Sequence, residues 1–342
     1  MPSAIGIGEP INQALFRTGV VLFTPFRLKK WLLFAIPAAL MLVGVGMPPA
    51  VNVGFQFAMH GLRGVSLDDA LKWYTEHTAA ILIVMSALVI FVFFPLYLLC
   101  RWLNGRSYMV FYHNLVNNEF EMKQSWREFR ELGNSLMKMI ISWELILFNL
   151  WLGALIIASL FAIPDIRHLF EIGEYQATGW TAAAVIVFAL EAIVLMIGTW
   201  LAASVVYLLA VPVMYIRRMK AREAMRVAWR ELFLPHKGIC LLYFLMNIVT
   251  GIVKGSVASL GLIVLGVVTL ALACCMIYVP FLGNYPLGLA ALPATTFESA
   301  FHLYFVSQFG EEYRVPWSEA ARRGGFPVTL TSTAPDDAPQ TQ

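Results

Sequence analysis

Residues 79–100 read AAILIVMSALVIFVFFPLYLLC, twenty-two positions without one charged side chain. A helix needs about 20 apolar residues to cross a hydrocarbon layer of about 30 Å. In lipid the backbone must satisfy its own polar groups, which a helix does within one segment. This stretch therefore reads as a membrane-spanning helix, and similar runs flank it. Residues 31–47 (WLLFAIPAALMLVGVGM) form a first span that borrows Phe26 and Leu28, and 136–163 form a third. A fourth covers 180–214; at 35 residues it exceeds one crossing, so it tilts, breaks near Gly198 or projects past the bilayer.

The run from 238 to 280 has 43 residues, about 65 Å of helix at about 1.5 Å each, twice a bilayer. Gly251, Gly255 and Gly261 cluster around Lys254, which predicts a tight hairpin of 239–256 and 259–280. Residues 284–308 are less apolar and hold Pro286, Pro293, Glu298 and His302. They lie at the interface, or form the last span if 238–280 is one long broken helix. Either version gives six crossings; a seventh would move the C-terminus to the other side.

Composition agrees. The 342 residues are 59% hydrophobic and 13% charged, with mean hydropathy +0.72, where soluble domains carry about 25% charged residues. These values exclude a disordered chain and argue against a soluble enzyme. The expected fold is an all-α, polytopic transmembrane helix bundle of about six spans. It divides into a cytoplasmic amphipathic segment (1–30), a transmembrane domain (31–308) and a largely disordered cytoplasmic tail (309–342).

Segments 1–30, 101–135 and 215–237 hold sixteen Lys and Arg, against three in 48–78 and 164–179. By the positive-inside rule both termini are cytoplasmic, and the expected location is the inner, cytoplasmic membrane of the cell. No cleavable leader is evident before Trp31. A net charge of +3 is too small to imply a nucleic-acid partner. Cys100, Cys240, Cys274 and Cys275 lie in or beside apolar runs without CxxC spacing, so they read as buried free thiols.

Outside the hydrocarbon, 219–233 (MKAREAMRVAWRELF) places Ala221, Met225, Ala228 and Leu232 on one helix face. Arg218, Arg222, Arg226 and Arg230 fall on another, an amphipathic cytoplasmic helix suited to anionic headgroups or to neighbouring loops. Residues 10–24 form a weaker helix of this kind, interrupted by Gly19. Ser125–Glu128 (SWRE) fits a capping box, and Ser66–His77 reads as a short outer helix with Trp73 and Tyr74 at the interface.

Among the ionisable residues inside apolar runs, Glu144, Glu191 and Lys254 stand out. Each costs about 2.5–3.5 kcal/mol on insertion scales. Glu144 and Glu191 sit at similar depths if the fourth span starts at Trp180, and two adjacent carboxylates suit a shared proton or a cation. The plainer reading is a protonated glutamate bonded to Asn149, a serine or a backbone carbonyl, with Lys254 snorkelling or capping the hairpin tip. The six histidines are scattered without an HxxxH or HExxH pair, so no metal site is expected. No GxSxG, Walker loop, GxGxxG or DxxDG pattern occurs, and no catalytic residue or cofactor is assigned.

LFTPFRLKKWLLFAIPAALM (22–41), GRSYMVFYHNLVNNEF (105–120), SWREFRELGNSL (125–136), VPVMYIRRMKAREAMRVAWREL (211–232) and LYFVSQFGEEY (303–313) resemble a family of uncharacterised bacterial and archaeal integral membrane proteins. His113 and Glu311 depart from the Asp and Pro expected there. The resemblance implies no activity and carries no functional residues. Pro212–Ala224, a proline turn followed by a basic helix with Glu-Ala, is distantly similar to the membrane domains of glycerophosphodiester phosphodiesterases, whose catalytic domain this sequence lacks.

The expected function is non-enzymatic: a membrane-organising protein that binds anionic lipid, a protein partner or its own copies. Its basic helices, including Arg101, Arg106, Arg127 and Arg130, would meet headgroups. The alternative is a transporter or channel for a small solute that uses Glu144 and Glu191.

Overall fold

A computed structural model describes residues 5–42, 83, 86, 87, 89–118, 120, 122–172, 179–276 and 280–317. Residues 79–82, 84, 85 and 88 of the 79–100 run, the outer segment with Trp73 and Tyr74, and the tail beyond 317 lie outside the described residues. The start of the expected tail, 309–317, is ordered against the bundle and buries Tyr313. Among those described, the chain is helical and has no strand. The helices are α1 (Gly8–Phe23), α2 (Leu28–Leu42), α3 (Phe94–Asn117), α4 (Met122–Glu128), α5 (Arg130–Ile172), α6 (Gly179–Ser204), α7 (Val211–Arg217), α8 (Ala221–Val227), α9 (Lys237–Met276), α10 (Pro280–Ala290) and α11 (Leu292–Val306).

Three wider, π-helical turns interrupt this order: Val89–Phe93, Val205–Ala210 and Ala228–Phe233. Each ends two residues before a proline: Pro95, Pro212 or Pro235. Proline has no N–H for the carbonyl four residues back, and its ring crowds that carbonyl. A widened turn relieves the crowding. In the second case the Leu208 carbonyl, which Pro212 cannot serve, accepts the Tyr243 hydroxyl at 3.4 Å. The irregularity in the fourth span therefore lies before Pro212, and not at Gly198, which stays within α6.

Other expectations are also corrected. Residues 237–276 form one helix, not a hairpin: Gly251, Gly255 and Gly261 each cost only about 1 kcal/mol inside a helix, and Lys254 has a partner there. Ser125 is buried inside α4, so SWRE caps no helix. Arg218 does not join the basic helix face. It ends α7 in the left-handed conformation, with φ 51°, and α8 starts three residues later.

Helix α3 packs between α2 and α5, and α5 lies along α6. Helix α11 is enclosed by α1, α2, α3, α7 and α9, and ten of its fifteen residues are buried. The 284–308 segment thus contains the central helix of the molecule. Pro293 breaks it from α10, since Leu289 gains no N–H from that residue. The α3–α5 crossing depends on absent side chains: a Cβ on Gly133 would lie 2.8 Å from the Arg106 Cα, and one on Gly105 would lie 2.8 Å from the Gly133 carbonyl oxygen.

Among the described residues three stretches, fewer than the six expected, are long and apolar enough to cross a membrane: Arg130–Phe161, Ala182–Arg217 and Lys237–Gly261. Only 11%, 6% and 17% of their most apolar windows are buried within the protein. Leu145 to Ile163, Val185 to Ile197 and Leu241 to Ile263 present large apolar side chains outward. Such faces are stable in lipid and not in water, which associates the chain with a membrane. The excess length of the fourth span is also explained. From Ser204 to Tyr215 most side chains are buried against α8, α9 and α11, so this part of the helix belongs to the protein interior.

Candidate functional site

The polar groups gather in three places. The first is the α9–α11 seam. These helices run antiparallel, which brings Lys254 to Glu298 (Nζ to Oε2, 2.6 Å). One turn along α11, the His302 ring lies 3.3 Å from Asn247 Oδ1 through Nε2, and 3.5 Å from the Tyr112 hydroxyl through Nδ1. Thr250 donates to the Asn247 carbonyl oxygen at 2.9 Å. Tyr243 stacks on Phe305 with ring centroids 3.8 Å apart and closes one end of the seam. Lys254 is therefore neither a snorkelling residue nor a hairpin tip: it is half of an ion pair with the central helix.

The second place is the α3–α5 contact. Glu144 accepts hydrogen bonds from the Tyr97 hydroxyl and from Arg101, whose guanidinium also lies 5.5 Å from the Tyr97 ring centre. Asn149 instead donates to the Leu145 carbonyl at 2.7 Å. The expected neutral glutamate bonded to Asn149 or a carbonyl gives way to an ion pair, because Arg101 at the end of the second apolar run reaches α5. Trp151 meets Phe188 at 6.3 Å, and antiparallel pairing from that contact sets Glu144 level with Leu195. Glu191 is then about 6 Å away along the axis, at about 1.5 Å per residue. Its Oε2 is buried without a hydrogen-bond partner among the described residues.

The third place is the basic end of the bundle. Ala221, Ala224, Ala228 and Leu232 are buried, while Arg222, Arg226 and Arg230 are exposed. Lys123, Arg127 and Arg130 are exposed beside them on α4 and α5, since α8 packs on α5 and the Ala221 N–H donates to Ser135 Oγ at 3.0 Å. A hollow of about 790 Å³ is lined by Phe120, Met122, Lys123, Gln124, Arg127 and Glu128. A second, of about 660 Å³, adjoins it at Arg127, Glu128, Arg130, Glu131, Leu132 and Arg218.

Not every arginine of this region faces outward. Arg218 bonds Glu128 at 2.8 Å and lies 4.2 Å from the Phe129 ring centre. Arg106 donates to Asn134 Oδ1 at 3.1 and 3.0 Å and sits over Trp102. Arg101 is taken by Glu144. Arg17 caps α3, with Nη2 donating to the Leu115 and Val116 carbonyls at 2.6 and 3.2 Å; burial lowers its pKa to about 10. Next to it Lys30 donates to Asn118 Oδ1 at 2.7 Å. Burial first, then the charges of Arg17 and Arg27, lower the Lys30 pKa to about 8.

Sequence reasoning identified Glu144, Glu191 and Lys254 but missed Arg101, Glu298, His302 and Tyr112 as partners. Glu298 and His302 are four residues apart on one helix face, a signal that the surrounding prolines and an assignment to the interface obscured. Among the described residues no three His, Cys, Asp or Glu side chains gather as metal ligands would. No curated protein and no solved structure matches the chain. A family of unknown function, DUF7544, matches residues 8–310. With nearly all of the described helices inside that match, the chain belongs to the DUF7544 family.

Proposed function

We propose that the protein is a non-enzymatic, membrane-organising protein that holds anionic phospholipid at its basic end. The observation that carries this reading is the set Arg127, Arg130, Arg222, Arg226 and Arg230: all exposed and without ion-pair partners among the described residues, with Arg127 and Arg130 lining the two hollows. A cation near an anionic bilayer surface gains about 1 kcal/mol. Exposed Trp229 and Leu234 beside them suit the headgroup boundary. So does α1, which turns Leu15, Phe16 and Phe23 outward and is followed by exposed Phe26 and Leu28. Phe120 and Met122 give the larger hollow an apolar lip for the start of an acyl chain.

In this reading the chain crosses the cytoplasmic membrane six times with both termini inside. The three long helices and the charge asymmetry of the segments between the apolar runs support it. The test is thermal unfolding of the purified protein in detergent with phosphatidylglycerol or phosphatidylcholine. Phosphatidylglycerol should raise the midpoint, and replacing Arg127, Arg130, Arg222 and Arg226 by Gln should abolish the rise. Equal midpoints in the two lipids would refute the proposal. Native mass spectrometry of protein extracted with its surrounding lipid identifies the retained headgroup.

A further inference from the structure

The two hollows at the basic end form a matched pair. The larger is bordered by the cations Lys123 and Arg127 and by the apolar side chains of Phe120 and Met122. The smaller is bordered by Arg127, Arg130 and Arg218 and by the apolar Leu132. Each therefore joins a place for an anion to a place for hydrocarbon. Arg127 and Glu128 line both, so the hollows meet there. Lys123, Arg127 and Arg130 are exposed and have no ion-pair partner among the described residues, whereas Arg218 is held by Glu128 at 2.8 Å.

Charge decides what can lie across the pair. Among the described lining residues, four cations stand against the carboxylates of Glu128 and Glu131. The excess of two positive charges matches two singly ionised phosphates. Glu128 sits where the hollows meet and repels a phosphate placed between them. Its carboxylate accepts a hydrogen bond from a hydroxyl instead, and Gln124 in the larger hollow offers both a donor and an acceptor. The arrangement suits two phosphates kept apart by a short, neutral, hydroxyl-bearing bridge. A lone phosphate fills only one hollow, and a pyrophosphate sets its charge against Glu128.

The hollows also lie near the edge of the lipid-facing surface. Tyr215 stacks on Phe129, the residue after Glu128, with ring centres 5.7 Å apart. Leu208 precedes Tyr215 by seven residues, about 10 Å of helix at about 1.5 Å each, and its carbonyl accepts the Tyr243 hydroxyl. Leu241, Leu242 and Leu245 flank Tyr243 and point outward, so the apolar surface of α9 begins within about 10 Å of the level of Phe129. Basic pockets at that level of a helix bundle take lipid headgroups rich in phosphate.

We propose that the paired hollows hold one molecule of diphosphatidylglycerol (cardiolipin). One phosphate occupies each hollow with Arg127 between them, and the central glycerol hydroxyl donates to Glu128. The two acyl-bearing halves leave over Phe120 and Met122 and over Leu132. This assignment rests on the headgroup reading and specifies its lipid. Once the first phosphate is bound, the bridge delivers the second at high effective concentration, which a lipid with one phosphate lacks.

The purified full chain in detergent–phosphatidylcholine micelles is titrated with cardiolipin or with phosphatidylglycerol, compared at equal phosphate, and thermal unfolding is followed. Cardiolipin should reach its half-maximal rise at about tenfold less phosphate, and native mass spectrometry should retain one cardiolipin per chain. Arg127→Gln should bring the two titrations together. Lys237→Gln, an equal loss of charge at an exposed site outside the hollows, should leave them apart. Circular dichroism verifies folding, and Arg130→Gln takes the place of Arg127→Gln if the latter misfolds. Coincident titrations in the unaltered protein, or a separation that survives Arg127→Gln, overturn the assignment; a rise with phosphatidylglycerol then still supports the headgroup reading. No rise with either lipid defeats both. The deacylated cardiolipin headgroup should give no rise, and a rise at the concentration where cardiolipin acts overturns the assignment in favour of a soluble diphosphate.

Discussion

Helices α5 and α6 and helices α9 and α11 are both antiparallel pairs in the apolar part of the molecule, yet they are held together by different forces. The α5–α6 pair meets through apolar side chains such as Trp151 and Phe188. Both of its helices face outward, and Glu191 has a carboxylate oxygen without a partner among the described residues. In the α9–α11 pair, α11 is packed among five other helices, and Lys254, Glu298, Asn247 and His302 each have a partner. Enclosure explains the difference. A helix surrounded by five others has donors and acceptors within reach, whereas one facing lipid has only its immediate neighbour.

The sharpest way to break this comparison is to remove one half of the enclosed pair. Lys254→Met leaves the half-buried Glu298 carboxylate unpaired, and should cost up to about 3–5 kcal/mol. Lys254→Met combined with Glu298→Leu should recover most of that loss, since no unpaired charge remains. Thermal unfolding in detergent measures both, and a double variant no more stable than the single one would show that the pair adds specific geometry beyond charge neutralisation. Next comes the junction of the α5–α6 pair with the rest of the molecule. Gly133→Ala drives a methyl group into the Arg106 backbone and should cost about 1–3 kcal/mol by overpacking. Glu191→Leu should do the opposite. It replaces an unsatisfied acceptor in an apolar setting, and a gain of about 1 kcal/mol is expected.

The two pairs also differ in how far the sequence disclosed them. The α5 and α6 spans are legible because their apolar runs are long and uninterrupted, and Glu191 stands out for the same reason. Helix α11 is not legible: at fifteen residues with Pro293 at its start it falls short of a span, and its central position depends on packing against five separate segments. The glycines around Lys254 resemble a turn when read alone. They are helical because Lys254 is matched by Glu298, forty-four residues later. The basic face of 219–233 is legible at Arg222, Arg226 and Arg230 but not at Arg218, because Glu128, which captures it, is ninety residues earlier. Periodicity reports which side of a helix is apolar. It carries no information about a distant counter-charge.

Lys30 offers the mildest test, since it is a half-buried cation without the counter-charge that Lys254 enjoys. Its ammonium donates to the neutral Asn118 amide oxygen and lies near Arg17 and Arg27. Its pKa is about 8 in the folded protein against the ordinary 10.5. The unfolded chain therefore binds more proton between these values, and stability rises with pH across that window as folding is relieved of a desolvated charge. Below about pH 8 both states are protonated and the penalty is constant. Unfolding midpoints measured from pH 7 to 10 should show a small rise that disappears in Lys30→Gln, which keeps a donor for Asn118 but cannot titrate. A rise that persists in Lys30→Gln would assign the titration to another group and place Lys30 with the solvated cations of the basic end.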